Sequence, residues 1–122
     1  MQHRVLVCGD REWSHYDSIR ATLEVYPAGT VVIHGAARGA DTLADQVAKE
    51  LGFDVEPYPA EWDKYKKAAG PIRNSQMLTE GRPTEVHAFH NTLEHSTGTK
   101  DMVTKAQKAG LPVTVHSIWS QS

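Results

Sequence analysis

An apolar strand runs directly into a glycine loop and a helix in the stretch TVVIHGAARGAD, residues 30–41. Residues 30–34 form a short continuous apolar run, which is typical of a strand covered on both faces of a parallel sheet. Residues 35–39 are small apart from one arginine, and from Ala40 to about Leu51 apolar residues recur at helical spacing. The stretch therefore predicts a strand, a tight loop and a helix in immediate succession.

The same alternation of short apolar runs and helical segments extends over the chain. Further strands are predicted at residues 4–8, 53–56, 85–89 and 111–116. Further helices are predicted to begin near Asp17, Pro71 and Thr99, whereas residues 57–70 show no regular pattern. Strands that alternate with helices form a parallel sheet with right-handed crossovers. We therefore expect α/β architecture, a Rossmann-like three-layer fold with a mainly parallel sheet of about five strands, in one domain spanning residues 1–122.

Composition limits the function classes. The 122 residues include 13 Lys and Arg against 15 Asp and Glu, so the net charge is -2. This balance excludes the global basic field that drives non-specific duplex binding. Cys8 is the single cysteine, so no disulfide forms within the chain, and no run approaches the ~20 apolar residues of a membrane helix. The N-terminus also lacks signal-peptide features, and we expect a cytoplasmic protein with no membrane partner.

Ligands of parallel α/β sheets bind outside the carboxyl ends of the strands. This rule selects the loops at residues 9–14, 35–39 and 90–98, and the start of the helix near Pro71 adds a fourth segment. The candidate ligand-binding residues of these segments are Gly9, Asp10, Arg11, Trp13, Gly35, Ala36, Ala37, Arg38, Gly39, Asp41, Arg73, Asn74, Thr97, Gly98 and Thr99.

Phosphate is the ligand group that these loops favour. Backbone amides at a helix start attract anions, and small residues at 35–39 allow close approach, with Arg38 adding a charged contact. The alternative is a glycine turn needed only for packing. Residues 96–99 repeat the pattern with hydroxyls, for which a plain helix cap is the alternative. Arg73 in the first turn of a helix is unfavourable unless an anion offsets its charge, although a solvated side chain is the simpler interpretation.

Two further readings remain open at the sequence level. Trp13, beside charges of both signs, could hold a ribose or base, or could belong to a salt-bridged surface turn. Among seven histidines, His87, His90 and His95 lie closest together, but no zinc motif accompanies them. We expect no metal and no cofactor other than a nucleotide-derived ligand.

Four segments, at residues 4–13, 34–41, 69–74 and 98–103, together resemble the YspA/YpsA-related group of the SLOG superfamily. Their order and spacing match that group over nearly the whole chain. The resemblance implies a Rossmann-like fold and a nucleotide-derived ligand. The segment G-A-A-R-G-A-D is also similar to the G-x-A-R-G-x-D loop of the DNA-processing protein A family, which handles single-stranded DNA.

A second branch of the superfamily raises an enzymatic alternative. The loop at Gly98 and Thr99 is similar to the P-G-G-x-G-T-x-x-E motif of the LOG phosphoribohydrolases, which cleave nucleoside monophosphates between base and ribose 5-phosphate. Here the P-G-G is absent, and Met102 stands where the motif has its catalytic Glu. A thioether cannot serve as a general base, so we expect that activity to be absent or weak.

Three hypotheses follow. The first is binding, with sensing or processing, of a phosphate-containing nucleotide derivative, and the second is hydrolysis of an N-glycosidic or phosphate bond in a nucleotide. The carboxylate of such an enzyme would be one of Asp10, Glu12, Asp41 and Asp101. The third is single-stranded DNA binding, which the overall charge disfavours. A homodimer through the helices is one candidate assembly.

Overall fold

The computed structural model describes residues 2–118, in which strands and helices alternate as the sequence predicts. The strands are β1 (Arg4–Gly9), β2 (Val31–His34), β3 (Asp54–Pro57), β4 (Glu85–Phe89) and β5 (Val113–His116). The helices are α1 (Tyr16–Leu23), α2 (Ala40–Glu50), α3 (Trp62–Tyr65), α4 (Ala69–Thr79) and α5 (Gly98–Lys108), with 3₁₀ turns at Lys66–Ala68 and Leu93–His95. The predicted domain also includes Met1 and residues 119–122, which lie outside the described residues.

The five strands form one sheet in the order β3-β2-β1-β4-β5, and every pairing in it is parallel. Leu6 of β1 lies opposite Ile33 of β2 on one side and Val86 of β4 on the other. The predicted Rossmann-like α/β fold is therefore confirmed. The chain winds outward from β1 in both directions, and the carboxyl ends of β1 and β4 flank the point where the strand order reverses.

Two apolar cores lie on opposite faces of the sheet. Val5 and Val7 of β1 pack in one core with Ile19 of α1 and Val47 of α2. The other core contains Leu6 with residues of the two later helices, among them Met77 of α4 and Met102 of α5. Alternate side chains of β1 enter different cores, because successive residues of a strand face opposite sides. None of the helices within residues 2–118 is long and apolar enough to cross a membrane.

Helix α4 differs from its predicted bounds. It begins at Ala69, two residues before Pro71, and ends at Thr79. Pro71 still lies in the first turn, where its missing N–H removes no helical hydrogen bond. Arg73 is consequently the fifth residue of the helix and lies beyond the first turn. The predicted electrostatic conflict between Arg73 and a helix start is therefore wrong.

Residues 57–70, which show no sequence pattern, contain α3 and a 3₁₀ turn.

Candidate functional site

A cleft of about 660 Å³ opens where β1 and β4 end, between the start of α5 and one face of α4. Most of the predicted ligand-binding residues contribute to its walls. These are Gly9, Asp10, Arg11, Ala37, Arg38, Asp41, Arg73, Asn74, Thr97, Gly98 and Thr99, together with the candidate carboxylate Glu12. Loops far apart in the chain therefore converge at the edge of the sheet that the parallel topology selects.

A second, smaller cavity of about 450 Å³ adjoins the cleft on the side of the glycine loop. The predicted residues Gly35 and Ala36 line this cavity rather than the cleft. Pro59 and Ala60, from the irregular segment before α3, also line this cavity. Residues that line both cavities form a shared wall, defined by Arg11, Ala37, Arg38, Trp62 and Arg73.

Three backbone amides of the glycine loop, those of Gly35, Ala36 and Ala37, are occupied by side chains of the same chain. Oδ2 of Asp41, which is buried, accepts hydrogen bonds from the amides of Gly35 at 3.0 Å and Ala37 at 3.2 Å. Burial raises the pKa of the Asp41 carboxyl, although the hydrogen bond from Ala37 and the nearby positive charge of Arg73 oppose that effect. The predicted contact between these amides and a phosphate therefore does not fit the loop as it is folded.

His34 stabilises the apex of the same loop. Its Nδ1 accepts a hydrogen bond from the amide of Ala36 at 2.9 Å, and Ala36 has a positive φ of 57°. Because Nδ1 accepts, the proton of a neutral ring lies on Nε2, which is 2.8 Å from Oδ2 of Asp45. The loop conformation is thus fixed from inside by an acid and a histidine.

Two glycines allow the loops around the cleft to approach one another. A Cβ on Gly9 would lie 2.5 Å from the carbonyl oxygen of Phe89 and 2.7 Å from Cβ of Ala40. Gly39 has a φ of 71°, and a Cβ there would collide with the backbone of Asp10 and Arg11. Gly39 lines neither cavity. Gly39 therefore agrees with the alternative interpretation of the loop, in which the glycine is needed for packing and does not contact a ligand.

Trp13 is predicted to bind the ligand, but the structure places it in the core. Its side chain is 5% exposed and belongs to the core beside α1, with its ring 5.6 Å from that of Phe89. The indole Nε1 donates to the carbonyl oxygen of His15 at 3.2 Å. An indole buries more apolar area than the flanking charged residues can, and the turn therefore directs it inward rather than toward a ligand.

Arg73 and Asn74 connect three elements at the floor of the cleft. Nη1 of Arg73 donates to the carbonyl oxygen of Gly35 at 2.5 Å, and its Nε donates to Oδ1 of Asn74 at 3.1 Å. Nδ2 of Asn74 donates to the carbonyl oxygen of Gly98 at 3.2 Å and to Oδ2 of Asp101 at 3.0 Å. Burial lowers the pKa of Arg73, and the nearby Asp41 carboxylate opposes that shift. The pair therefore supports the site and places one cation inside it.

The start of α5 presents open space to the cleft. Thr97 and Gly98 are exposed there, and a Cβ on Gly98 would meet no atom within 4 Å. Oγ of Ser96 accepts the amide hydrogen of Thr99 at 3.0 Å, while Thr99 itself is buried. The N-terminal amides of a helix carry a partial positive charge. This end of the cleft is consequently suited to an anion.

The four candidate carboxylates occupy different environments. Glu12 pairs with Arg38 at 3.0 Å on the surface, and Asp41 is committed to the glycine loop. Asp101 accepts from Asn74, pairs with Lys105 at 2.9 Å and does not line the cleft. Asp10 faces the cleft, with Oδ2 3.9 Å from Nε2 of His90.

Several cleft residues, Trp62 among them, lie outside the set of ligand-binding residues that the sequence predicts. Trp62 is 48% exposed, and the guanidinium of Arg11 lies 5.6 Å from the centroid of its ring. The one available signal was an aromatic residue followed by lysines in the segment without regular pattern. The other cleft residues outside that set are Cys8, Lys67, Gly70, Pro71, Met77, His90 and Ser96. His90 and Ser96 nevertheless lie in the loop at residues 90–98 that the sequence selects. Burial raises the pKa of the Cys8 thiol, which disfavours the thiolate needed for nucleophilic chemistry.

Two histidines from the predicted cluster separate in the fold. His87 lies on β4 within hydrogen-bond distance of His116, whereas His90 faces the cleft. Within residues 2–118, no group of three or more His, Cys, Asp or Glu side chains could hold a metal ion.

Met102 is fully buried in the core beside α5, so its side chain does not reach the cleft.

Known proteins resemble this chain at three levels. The model of the YspA, cpYpsA-related SLOG family matches residues 3–65. The gene 61 protein of Mycobacterium phage D29 is 40% identical over 119 residues, which cover 90% of this chain and 93% of that protein. The structure of DNA processing protein A (DprA) from Streptococcus pneumoniae superposes with a TM-score of 0.76 at 20% identity. The superposition covers 97% of this chain but 52% of DprA, so the likeness concerns the fold of about half of that protein.

Proposed function

Because the chain belongs to the YspA, cpYpsA-related SLOG family, we propose that its cleft binds a phosphate-bearing nucleotide derivative. The observation that carries the proposal is the convergence of Arg38, Arg73 and Lys67 with the open N-terminus of α5 in one cleft. The cleft lies at the carboxyl ends of parallel strands, where α/β sheets bind ligands. Its volume of about 660 Å³ falls within the range of small-molecule sites.

The phosphate lies between the start of α5 and the cations, rather than on the glycine loop. The amides of Gly35, Ala36 and Ala37 are already hydrogen-bonded to side chains of the chain itself. The helix N-terminus at the exposed residues Thr97 and Gly98 offers the anion a backbone site in the cleft. The Arg38 side chain is 74% exposed, so its reorientation toward the phosphate breaks only a surface ion pair with Glu12.

Native mass spectrometry of freshly purified protein tests the proposal directly. We expect a co-purified mass that matches a nucleotide derivative and disappears after unfolding. Equilibrium dialysis against labelled nucleotides follows, with Arg38→Ala as the site variant and Arg82→Ala as its control, because Arg82 is exposed and lines neither cavity. Loss of one charged contact lowers affinity about tenfold or more in Arg38→Ala. Equal affinity of both variants, or no binding of any nucleotide, contradicts the proposal.

A second candidate is hydrolysis of the bound nucleotide with Asp10 as the catalytic carboxylate. The placement of Asp10 at the cleft beside His90 favours it over the other three candidates. A carboxylate with an adjacent imidazole can serve in general acid–base chemistry. If the protein turns over its ligand, Asp10→Asn abolishes product formation while affinity stays within about threefold, whereas loss of both together assigns Asp10 to binding.

A further inference from the structure

The cleft and the smaller cavity meet at the shared wall, which carries three arginines, Arg11, Arg38 and Arg73. The carboxylates Asp10, Glu12 and Asp41 all face the cleft. The lining of the smaller cavity contains the same three arginines and no acidic side chain. The three arginines therefore lie where the cleft and the smaller cavity adjoin, and not at the far end of either cavity.

The arginines of the shared wall keep donors available. Arg73 uses Nη1 on Gly35 and Nε on Asn74, which leaves its second amino group uncommitted among the described contacts. Arg38 pairs with Glu12 on the exposed surface, where an ion pair contributes little and is readily exchanged. Within residues 2–118, Arg11 has no carboxylate partner and rests against Trp62. A group with several anionic oxygens can therefore replace these contacts.

Trp62 borders both cavities with half of its side chain exposed. An exposed indole is a stacking surface for a nucleobase, and the guanidinium of Arg11 now occupies its face. The two volumes, about 660 and 450 Å³, each lie in the range of a small-molecule site. Each space on either side of the arginines is thus large enough for a nucleoside.

We infer that the ligand is a dinucleotide with one nucleoside in each cavity. Its bridging phosphate lies at the arginines of the shared wall, on the cleft side that faces the start of α5. One base stacks on Trp62 after Arg11 turns toward the phosphate. This inference rests on the proposed function and adds to it the class of ligand. A mononucleotide fills only one of the two spaces. The same chemistry, a phosphate flanked by two nucleosides, occurs in a free dinucleotide and in one step of a single strand.

Isothermal titration calorimetry of the full chain compares four probes. These are adenosine monophosphate, a diadenosine pyrophosphate, a diadenosine 3′,5′-phosphodiester and a deoxyadenosine octanucleotide. We expect at least one dinucleotide to bind about tenfold tighter than the monophosphate, because a second stacked base adds to binding. If the natural ligand is a free dinucleotide, the octanucleotide binds no tighter than the dinucleotides. If the natural ligand is a single strand, the octanucleotide binds tightest of the four probes.

A variant that fills only the smaller cavity sharpens the test. Ala60 lines that cavity and not the cleft, so Ala60→Phe reduces dinucleotide affinity about tenfold and leaves the monophosphate within about twofold. Ala28→Phe is the matched control, because Ala28 is exposed in a turn and lines neither cavity. If Ala60→Phe does not fold, Trp62→Ala replaces it and weakens dinucleotide binding to a similar extent.

The outcomes separate the inference from the function on which it rests. Equal affinities for mononucleotide and dinucleotides overturn the inference and leave the proposed function intact. Dinucleotide binding that Ala60→Phe and Trp62→Ala do not weaken also overturns it, because the second nucleoside then lies elsewhere. Failure of all four probes, together with no binding of any nucleotide in the dialysis experiment, overturns the proposed function and the inference together.

Discussion

Oδ2 of Asp41, the second residue of α2, lies 3.0 Å from the amide nitrogen of Gly35, the first residue after β2. The same oxygen accepts the amide hydrogen of Ala37. The acid that follows the glycine loop in sequence therefore folds back and occupies the anion position of that loop. The phosphate site that we propose consequently relies on arginine side chains and on the start of α5.

Replacement of Asp41 by Ala is expected to destabilise the fold. The buried amide of Gly35 and the half-buried amide of Ala37 would lose their acceptor, and an unpaired buried amide costs about 1–3 kcal/mol. Urea denaturation should show a free energy of unfolding lower by roughly 2–4 kcal/mol, against a near-unchanged value for Asp54→Ala, which removes an exposed acid from β3. A stable Asp41→Ala protein would mean that the loop is held by other contacts.

Arg73 and Arg38 should differ in their effect on stability. Removal of the Arg73 guanidinium leaves the Gly35 carbonyl without its donor, so Arg73→Ala should lower the free energy of unfolding by about 1–2 kcal/mol. Arg38→Ala should change stability by less than about 0.5 kcal/mol, because its ion pair with Glu12 is exposed. Thermal unfolding without ligand compares them, and equal melting temperatures would refute the distinction.

Two glycines of the site should respond oppositely to a methyl group. Gly39→Ala places a Cβ against the backbone of Arg11 at a positive φ, and we expect a loss of about 2 kcal/mol or more. Gly98→Ala meets open space at the start of α5 and should change stability by no more than about 1 kcal/mol, in the stabilising direction. Chemical denaturation of both variants measures the contrast. Equal destabilisation would show that the space at Gly98 is closed in solution.

Stability should fall in mild acid because of His116. Burial and then the neighbouring His87 lower the pKa of His116 to about 4, and burial also lowers the pKa of His87. The unfolded chain, with a histidine pKa near ~6.5, therefore binds the proton more readily than the folded protein. The contribution of His116 to the free energy of unfolding is fully present above about pH 6.5. It is lost as the pH falls from about 6.5 toward about 4.

His116→Gln should flatten this dependence. Melting temperatures measured between about pH 7.5 and pH 5 avoid most carboxylate titration, which occurs below about 4.5. His95→Gln is the control, because His95 is exposed and has no ring contact with His116. If the parent and His116→Gln lose stability equally over this range, the acid sensitivity arises elsewhere.

Nucleoside monophosphates should not release free base on incubation with the protein. Met102 is fully buried in the core, and Asp101 beside it is held by Asn74 and Lys105 outside the cleft. Neither residue can present a carboxylate to a ribose in the cleft. Chromatography of incubated adenosine monophosphate checks this expectation, and steady release of adenine would implicate Asp10 instead.

The sequence by itself determined the parallel α/β architecture and the edge of the sheet at which a site forms, whereas the strand order came from the structure. Apolar runs that alternate with helical segments predict parallel strands, and parallel strands bring their carboxyl-end loops to one edge. Arg38, Arg73 and the start of α5 could therefore be assigned to one cleft from their order in the chain. These assignments depend on chain direction and periodicity, which are local properties.

Only the tertiary structure decided which groups of those loops face a ligand. Trp13 turns into the core, Asp41 fills the glycine loop, and Trp62 reaches the cleft from a segment without periodicity. Each of these outcomes depends on contacts between residues distant in sequence. A position in a loop does not specify the direction of its side chain, because that direction is fixed by the free energy of packing and hydrogen bonding against elements that the local pattern does not contain.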